Sequence, residues 1–232
     1  FFSDKDTLMN LANVWWNSSS SYTLASLPLF VWMGEILFRT KLSEQMFTGL
    51  SPWLNWLPGR LMHVNILGCG IFGSVSGSSA ATCATIAKSA LPELTKRGYD
   101  EKITLGSLSC AGTLGILIPP SITMVVYAVA ADQSIIRIFL AGFIPGAILM
   151  ALFSGYIIVW ALLNPAKTPP AEKYSWRQRL HSVGQLMPCT ALIIFIAWLM
   201  LAGYSTATEA AAYGVVGSLI LAAVGGNLSW NN

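Results

Sequence analysis

The sequence predicts an all-α polytopic membrane protein with a re-entrant helical hairpin and a discontinuous transmembrane helix. Three observations carry that expectation. Of the 232 residues 54% are hydrophobic and only 10% charged, with a mean hydropathy of +0.61, whereas soluble domains carry about 25% charged residues. Two apolar segments are too long for one crossing and are interrupted at their centres by Gly, Ser and Pro. The basic residues gather in three linkers. A net charge of +3, with no basic run interleaved with aromatics, argues against a nucleic-acid partner. Cys69, Cys83, Cys110 and Cys189 are scattered through apolar stretches and read as buried small hydrophobes.

The elements follow in order. Apolar segments fall at 22–38, 61–90, 103–131, 135–163, 185–202 and 207–225. A helix needs about 20 residues to cross about 30 Å of hydrocarbon. Segments 135–163, 185–202 and 207–225 therefore read as ordinary spans, and 22–38 as a short one. As single helices, 61–90 and 103–131 would each exceed about 40 Å. The first is broken by Gly73-Ser74-Val75-Ser76-Gly77-Ser78-Ser79-Ala80, the second by Gly112-Thr113-Leu114-Gly115 and then Pro119-Pro120. Residues 42–60, with Trp53, Leu54, Trp56 and Leu57 among polar residues and two prolines, read either as an interfacial helix or as a plain connector. The Pro-rich, basic stretch 164–184 reads as a cytoplasmic linker whose Lys and Arg fix topology. The expected organisation is a scaffold helix with an interfacial arm (1–60), the hairpin and broken helix (61–131), a transmembrane helix (132–163), the linker (164–184) and two further helices (185–232). The lack of an initiator Met and the abrupt Asn231-Asn232 end suggest a piece of a longer protein.

Charge placement chooses the topology. Arg39, Lys41 and Arg60 form one basic group, Lys88, Lys96, Arg97 and Lys102 a second, and Lys167, Lys173, Arg177 and Arg179 a third. The 132–134 and 203–206 linkers contain no Lys or Arg. The positive-inside rule puts all three groups in the cytoplasm. That holds only if 61–90 enters and leaves on one side, as a hairpin whose tip is the Gly-Ser cluster.

Irregular backbone at membrane depth is tolerated only where protein buries it or it lines a hydrated cavity. Breaks at 74–80 and 112–120 can satisfy each other across a shared site, with hydroxyl oxygens from Ser76, Ser78, Ser79 and Thr113. Ser78 or Ser79 is suited to N-cap the returning leg, which should stop at Pro92. The N-terminus of that leg offers N–H groups to an anion, and carbonyls freed between Gly112 and Pro120 offer oxygens to a small hard cation such as Na⁺. Discontinuous helices of this kind mark substrate and coupling-ion sites in secondary transporters, although small-residue clusters also serve plain helix packing.

The stretch "GSVSGSSAATCATIAKSALPELTKRGYD" followed by "AGTLGILIPPSITMVVYAVAADQSIIRIFLAGFIPG" resembles the large membrane subunit of the tripartite ATP-independent periplasmic (TRAP) transporters. "LPLFVWMGEIL" and "TATEAAAYGVVGSLILA" resemble the same family, so that the likeness covers roughly residues 25–222. The resemblance implies half of an elevator-type transporter in a bacterial inner membrane. It implies Na⁺-driven import of a small organic anion, typically a carboxylate, with a smaller membrane subunit and a periplasmic substrate-binding protein as partners. Substrate would lie at Ser76, Gly77, Ser78, Ser79, Ala80, Pro119, Pro120 and Ser121, and Na⁺ at Ser78, Ser79, Gly112, Thr113 and Gly115. The family's large subunit is about twice this length. No second Ser/Gly tip or Pro-Pro break follows residue 182, and a first scaffold helix is not evident, so the chain resembles the first repeat plus the start of an inverted second.

No enzymatic activity is expected. A serine hydrolase built on Ser78 or Ser79 with His63 as base fails because His63 lies about 20 Å down the hairpin leg, His181 sits in the linker, and no GxSxG elbow is present. A re-entrant-loop channel and a non-transporting structural subunit remain the alternatives. The other ionisable residues have structural readings. Glu35 and Arg39 form an i,i+4 pair, Lys88 snorkels, and Glu209 sits in the first turn of its helix. His63 is an interfacial residue, and Asp132 and Arg137 pair with each other or face the binding protein.

Overall fold

A computed structural model of the chain describes residues 4–225 except 21, 41, 171 and 173. Lys41 and Lys173 of the basic groups therefore lie outside the described residues. Every regular element among those described is helical: α1 (Asp4–Ser19), α2 (Ser26–Arg39), α3 (Leu42–Leu54), α4 (Met62–Ser76), α5 (Ser79–Lys96), α6 (Glu101–Gly112), α7 (Leu114–Leu117), α8 (Ile122–Ala130), α9 (Ile135–Leu163), α10 (Trp176–Leu201) and α11 (Ala207–Val224), with 3-10 turns at Tyr22–Ala25 and Pro165–Lys167. Among the described residues, three helices, α9, α10 and α11, are long and apolar enough to cross a membrane, or up to five spans if the bent pairs α1–α2 and α6/α7–α8 each count as one. Leu152, Val159 and Leu162 on α9 and Ile194 and Trp198 on α10 are exposed, as lipid-facing positions should be.

Helices α4 and α5 form a hairpin because glycine and serine turn the chain within two residues. Gly77 caps α4 at φ +60°, its N–H donating to the Gly73 carbonyl, and Ser78 is the extended N-cap of α5, its hydroxyl accepting from Ala81 N–H. The legs run back along one another. Ser76 Oγ lies 2.5 Å from Thr82 Oγ1 near the tip, and the Leu61 N–H donates to the Tyr99 hydroxyl at the base. Helix α5 does not stop at Pro92 but continues to Lys96. A proline costs the helix one N–H donor, here the partner of the Lys88 carbonyl, and the Glu93–Arg97 pair one turn on offsets part of that loss. Gly98, at φ +79°, ends the helix.

The broken helix departs from expectation in position. The chain stays helical through Gly112 and, after a turn at Thr113, through Leu117, and then bends by 41° into α8. The irregular backbone is thus confined to Ile118–Ser121. The reason is local. Thr113 N–H and Ile118 N–H still find the Cys110 and Leu114 carbonyls, whereas Pro119 and Pro120 have no N–H to give.

Residues 42–54 are a helix, not a plain connector, but Trp53 is turned onto Trp176 with ring centroids 6.3 Å apart and an edge-on geometry. Helix α3 lies along the first half of α10, where Thr48 Oγ1 donates to Gln185 Oε1. That contact explains a second difference: α10 starts at Trp176, capped by Ser175 and Gln178, so the linker ends at 175 rather than 184. The long helix α1 answers to no apolar segment in the sequence, since polar residues dilute its Leu, Val and Trp. Cys69 and Cys189 are buried as expected; Cys83 is half-buried and Cys110 exposed.

Candidate functional site

The hairpin tip lies directly on the broken helix, and the contact is backbone to backbone. A Cβ built on Gly73 would stand 2.6 Å from Gly115 Cα, and one built on Gly115 would stand 2.9 Å from Thr82 Oγ1 and 3.3 Å from the Ser78 carbonyl oxygen. A Cβ on Gly112 would stand 2.8 Å from Cys83 Cβ and 3.2 Å from the Ser79 carbonyl oxygen, and one on Gly77 2.8 Å from the Ile122 nitrogen. On the other side of the tip, Gly34 of α2 admits Ser76, whose Cα a Cβ there would meet at 3.0 Å. These small residues are what allow the hairpin tip and the broken helix to approach backbone to backbone.

The arrangement concentrates polar backbone. Pro119 and Pro120 leave the carbonyls of Gly115 and Ile116 without their helical donors, and Gly115 is buried against the tip. The N-terminus of α8 abuts the tip that precedes α5, since a Cβ on Gly77 would stand 2.8 Å from the Ile122 nitrogen. The Ser121 side chain does not cap α8, and its buried Oγ has no hydrogen-bond partner. Ser76 Oγ, besides meeting Thr82, donates to the Ser78 carbonyl and accepts from the Ser78 N–H. The donor set is oxygen only, and no group of three His, Cys, Asp or Glu among the described residues could hold a metal ion. It suits a small hard cation at carbonyls and hydroxyls, with an anion at the helix N-termini.

The expected site residues are mostly brought together. Ser76, Gly77, Ser78, Ser79, Gly112, Gly115 and Ser121 surround the tip and break, and Pro119 and Pro120 are buried beside it. Thr113 is not placed with them: it is exposed and its hydroxyl donates to the Cys110 carbonyl at 2.6 Å. Ala80 is exposed as well. A cavity of about 560 Å³ adjoins the break at Ile118 and Pro119; its walls are mostly apolar, with Ser74, Ser154 and Thr190 as their polar side chains and no charged residue among them.

Sequence reasoning missed the polar contacts that hold the hairpin. Asn65, fully buried on α4, donates to Ser107 Oγ of α6 at 3.0 Å. At the base, Arg97 pairs with Glu93 and with Glu172 of the linker, and Lys167 with Asp100 at 3.1 Å. Asn55 donates to the Glu172 carbonyl. Tyr174 and Arg97 hold the Glu172 carboxyl below its ordinary range, and the Lys167 ammonium, with the Ile103 N–H, does the same for Asp100. Lys167 of the linker thus does more than set topology; only the opposite charges near 97–102 and 167–172 could have signalled it. His63 is buried within the protein at the hairpin base, with Nε2 2.7 Å from the Pro58 carbonyl oxygen. The Glu35–Arg39 pair closes at 2.7 Å, Glu209 reaches back to Thr206 in a capping box, and no ion pair joins Asp132 to Arg137 among the described residues.

The family model described as "Tripartite ATP-independent periplasmic transporter, DctM component" matches residues 1–232. This chain belongs to the DctM family. Among curated relatives, the C4-dicarboxylate TRAP transporter large permease protein DctM of Pseudomonas aeruginosa is 32% identical over 217 residues, covering 94% of this chain and 50% of the relative. The ectoine/5-hydroxyectoine TRAP transporter large permease protein UehC of Ruegeria pomeroyi is 31% identical over 199 residues, covering 86% and 46%. The isethionate TRAP transporter permease protein DctMQ of Oleidesulfovibrio alaskensis is 27% identical over 211 residues, covering 91% and 33%. This DctM-family chain spans about half the length of the first two relatives. Its relatives are transporter permeases rather than enzymes, and with its apolar helices it is a membrane protein.

Proposed function

We propose that this DctM-family chain is part of a Na⁺-coupled permease that imports a small organic anion by elevator-type alternating access. Its place is the bacterial inner membrane, where a small membrane subunit braces it and a periplasmic binding protein delivers the substrate. The observation that carries the reading is the meeting of the hairpin tip with the broken helix. Carbonyls at Gly115 and Ile116 that proline deprives of donors, with Ser78, Ser79 and Ser121 around them, would hold Na⁺. The N–H groups opening α5 and α8 would hold the anion. An anion stabilises the two positive dipole ends, and the cation the freed carbonyls, so each ligand favours the closed arrangement that binds the other.

The hairpin reads as re-entrant. Helix α4 has 15 residues, about 22 Å, too short for a crossing, and its basic base, Arg60 and Arg97, would stay in the cytoplasm. C4-dicarboxylate in the name of one relative favours a carboxylate, while ectoine and isethionate, the latter a sulfonate, leave the anion's identity open. A channel or an inert structural subunit would not require Na⁺ and anion to depend on each other.

The test is uptake into proteoliposomes by the full-length chain with its small subunit and binding protein, under an imposed Na⁺ or K⁺ gradient, for wild type and Gly112→Val. Na⁺-driven uptake that the substitution abolishes while assembly is retained supports the reading. Uptake indifferent to Na⁺, or unchanged in the variant, rejects it.

A further inference from the structure

A cleft of about 480 Å³ lies between α6 and α9, apart from the tip, and the transport reading makes no use of it. Its α6 wall runs from Asp100 and Lys102 through Ile103 and Gly106 to Cys110, and its α9 wall is Phe153, Tyr156, Ile157 and Trp160. Both walls repeat at three and four residues, so each is one continuous helix face. Ten residues of α6 rise about 15 Å, half of a hydrocarbon core of about 30 Å. The cleft is therefore one leaflet deep. Its charged residues, Asp100, Lys102 and Lys167, all sit at one end, where the basic linkers gather. Asp100 is matched by Lys167, and the Lys102 ammonium makes no ion pair among the described residues, so the residues lining the mouth carry one more positive charge than negative, with the exposed Glu101 of the same turn outside the lining. The cleft opens sideways: Gly106, Cys110 and Tyr156 are exposed, and a Cβ added to Gly106 meets nothing within 4 Å.

We propose that this cleft binds an anionic phospholipid, with an acyl chain against Phe153, Tyr156 and Ile157 and the phosphate on Lys102 and Lys167. An apolar slot of leaflet depth with a cationic rim matches both parts of such a molecule, and basic pockets between membrane helices bind anionic headgroups on the same grounds. Trp160 and Tyr156 are amphipathic rings of the kind that settle near headgroups. A zwitterionic lipid would fit the slot but gain little from the excess charge. The bound lipid would bridge α6, which carries half of the broken helix, to α9.

The test uses the full-length chain with its small subunit in detergent. Its thermal transition is followed while phosphatidylglycerol or phosphatidylcholine with identical chains is added. Phosphatidylglycerol should raise Tm more than phosphatidylcholine, Lys102→Glu should weaken its apparent affinity about fivefold or more, and Gly106→Phe should remove the response to both lipids. Equal responses to the two lipids, or a preference that survives Lys102→Glu, overturns the proposal. Should Gly106→Phe fail to assemble, a phosphatidylglycerol with a photoreactive acyl chain replaces it. Adducts are expected on the peptide holding Phe153 to Trp160. Adducts only elsewhere, as when another part of the full-length protein covers the cleft, reject the site.

Discussion

Gly73 of the hairpin and Gly115 of the broken helix touch through their backbones: a Cβ on the first would lie 2.6 Å from Gly115 Cα and 2.9 Å from its nitrogen. No rotamer change relieves such a contact, because the atoms met are main chain. Gly73→Val should therefore separate tip from break, cost about 1–3 kcal/mol as other overpacking does, and abolish Na⁺-dependent uptake. Gly155→Ala, where a Cβ meets nothing within 4 Å, is the matched control and should leave uptake and Tm unchanged or Tm slightly raised. Uptake assays on both variants, scaled to the amount of assembled protein, check the contrast.

Ser121 poses a sharper question, since its buried hydroxyl has no partner in the protein. An unpaired buried hydroxyl destabilises by about 1–3 kcal/mol, so a purely structural residue there would make Ser121→Ala neutral or stabilising, with transport unaffected. A hydroxyl held for a ligand gives a different result. Ser121→Ala should keep Tm but raise the Na⁺ or substrate concentration for half-maximal uptake severalfold. The concentration dependence of uptake separates the two.

The linker should act as a tie on the hairpin base through Arg97 and Glu172, whose closest atoms are 2.6 Å apart. The pair is partly exposed, so its energetic contribution is at most about 1 kcal/mol, and Arg97→Glu should alter linker mobility more than Tm. Faster amide exchange in 164–175 is expected in Arg97→Glu, with recovery in the Arg97→Glu/Glu172→Arg double variant. Absence of that recovery would show that Glu93, the other partner of Arg97, matters more.

The same tie has a predictable pH dependence. Glu172 and Asp100 have carboxyls lowered by their partners. A folded-state pKa below the unfolded one gives a contribution present above the ordinary carboxylate range and lost as pH falls through the depressed values. Protection of the linker should be constant from pH 7 to about pH 5 and decline only below about pH 4. Amide exchange across that range measures it, and a change centred near pH 6 would implicate another group.

Much of this molecule was legible from residue pattern alone. The Gly-Ser cluster and the Pro-Pro step specify a turn and a break wherever they occur, since Gly77 adopts a positive φ and prolines withhold donors. Hydropathy and length specified α9 and α11 almost to the residue, at Ile135–Leu163 and Ala207–Val224. Both are local properties, independent of what lies opposite in space. Elsewhere the neighbours decided. Gly112-Thr113-Leu114-Gly115 has the composition of an unwound segment, yet most of it stays helical because backbone donors remain available and its glycines are used for close approach to the tip. Pro92 reads as a stop, and α5 passes through it. Residues 176–184, Ser182 among them, look like linker until α3 lies along them and they join α10. The pairing of Lys167 with Asp100 and of Asn65 with Ser107 joins residues 67 and 42 positions apart. Sequence fixes which backbone groups lack partners; only the tertiary structure decides which are brought together, because that depends on non-local packing.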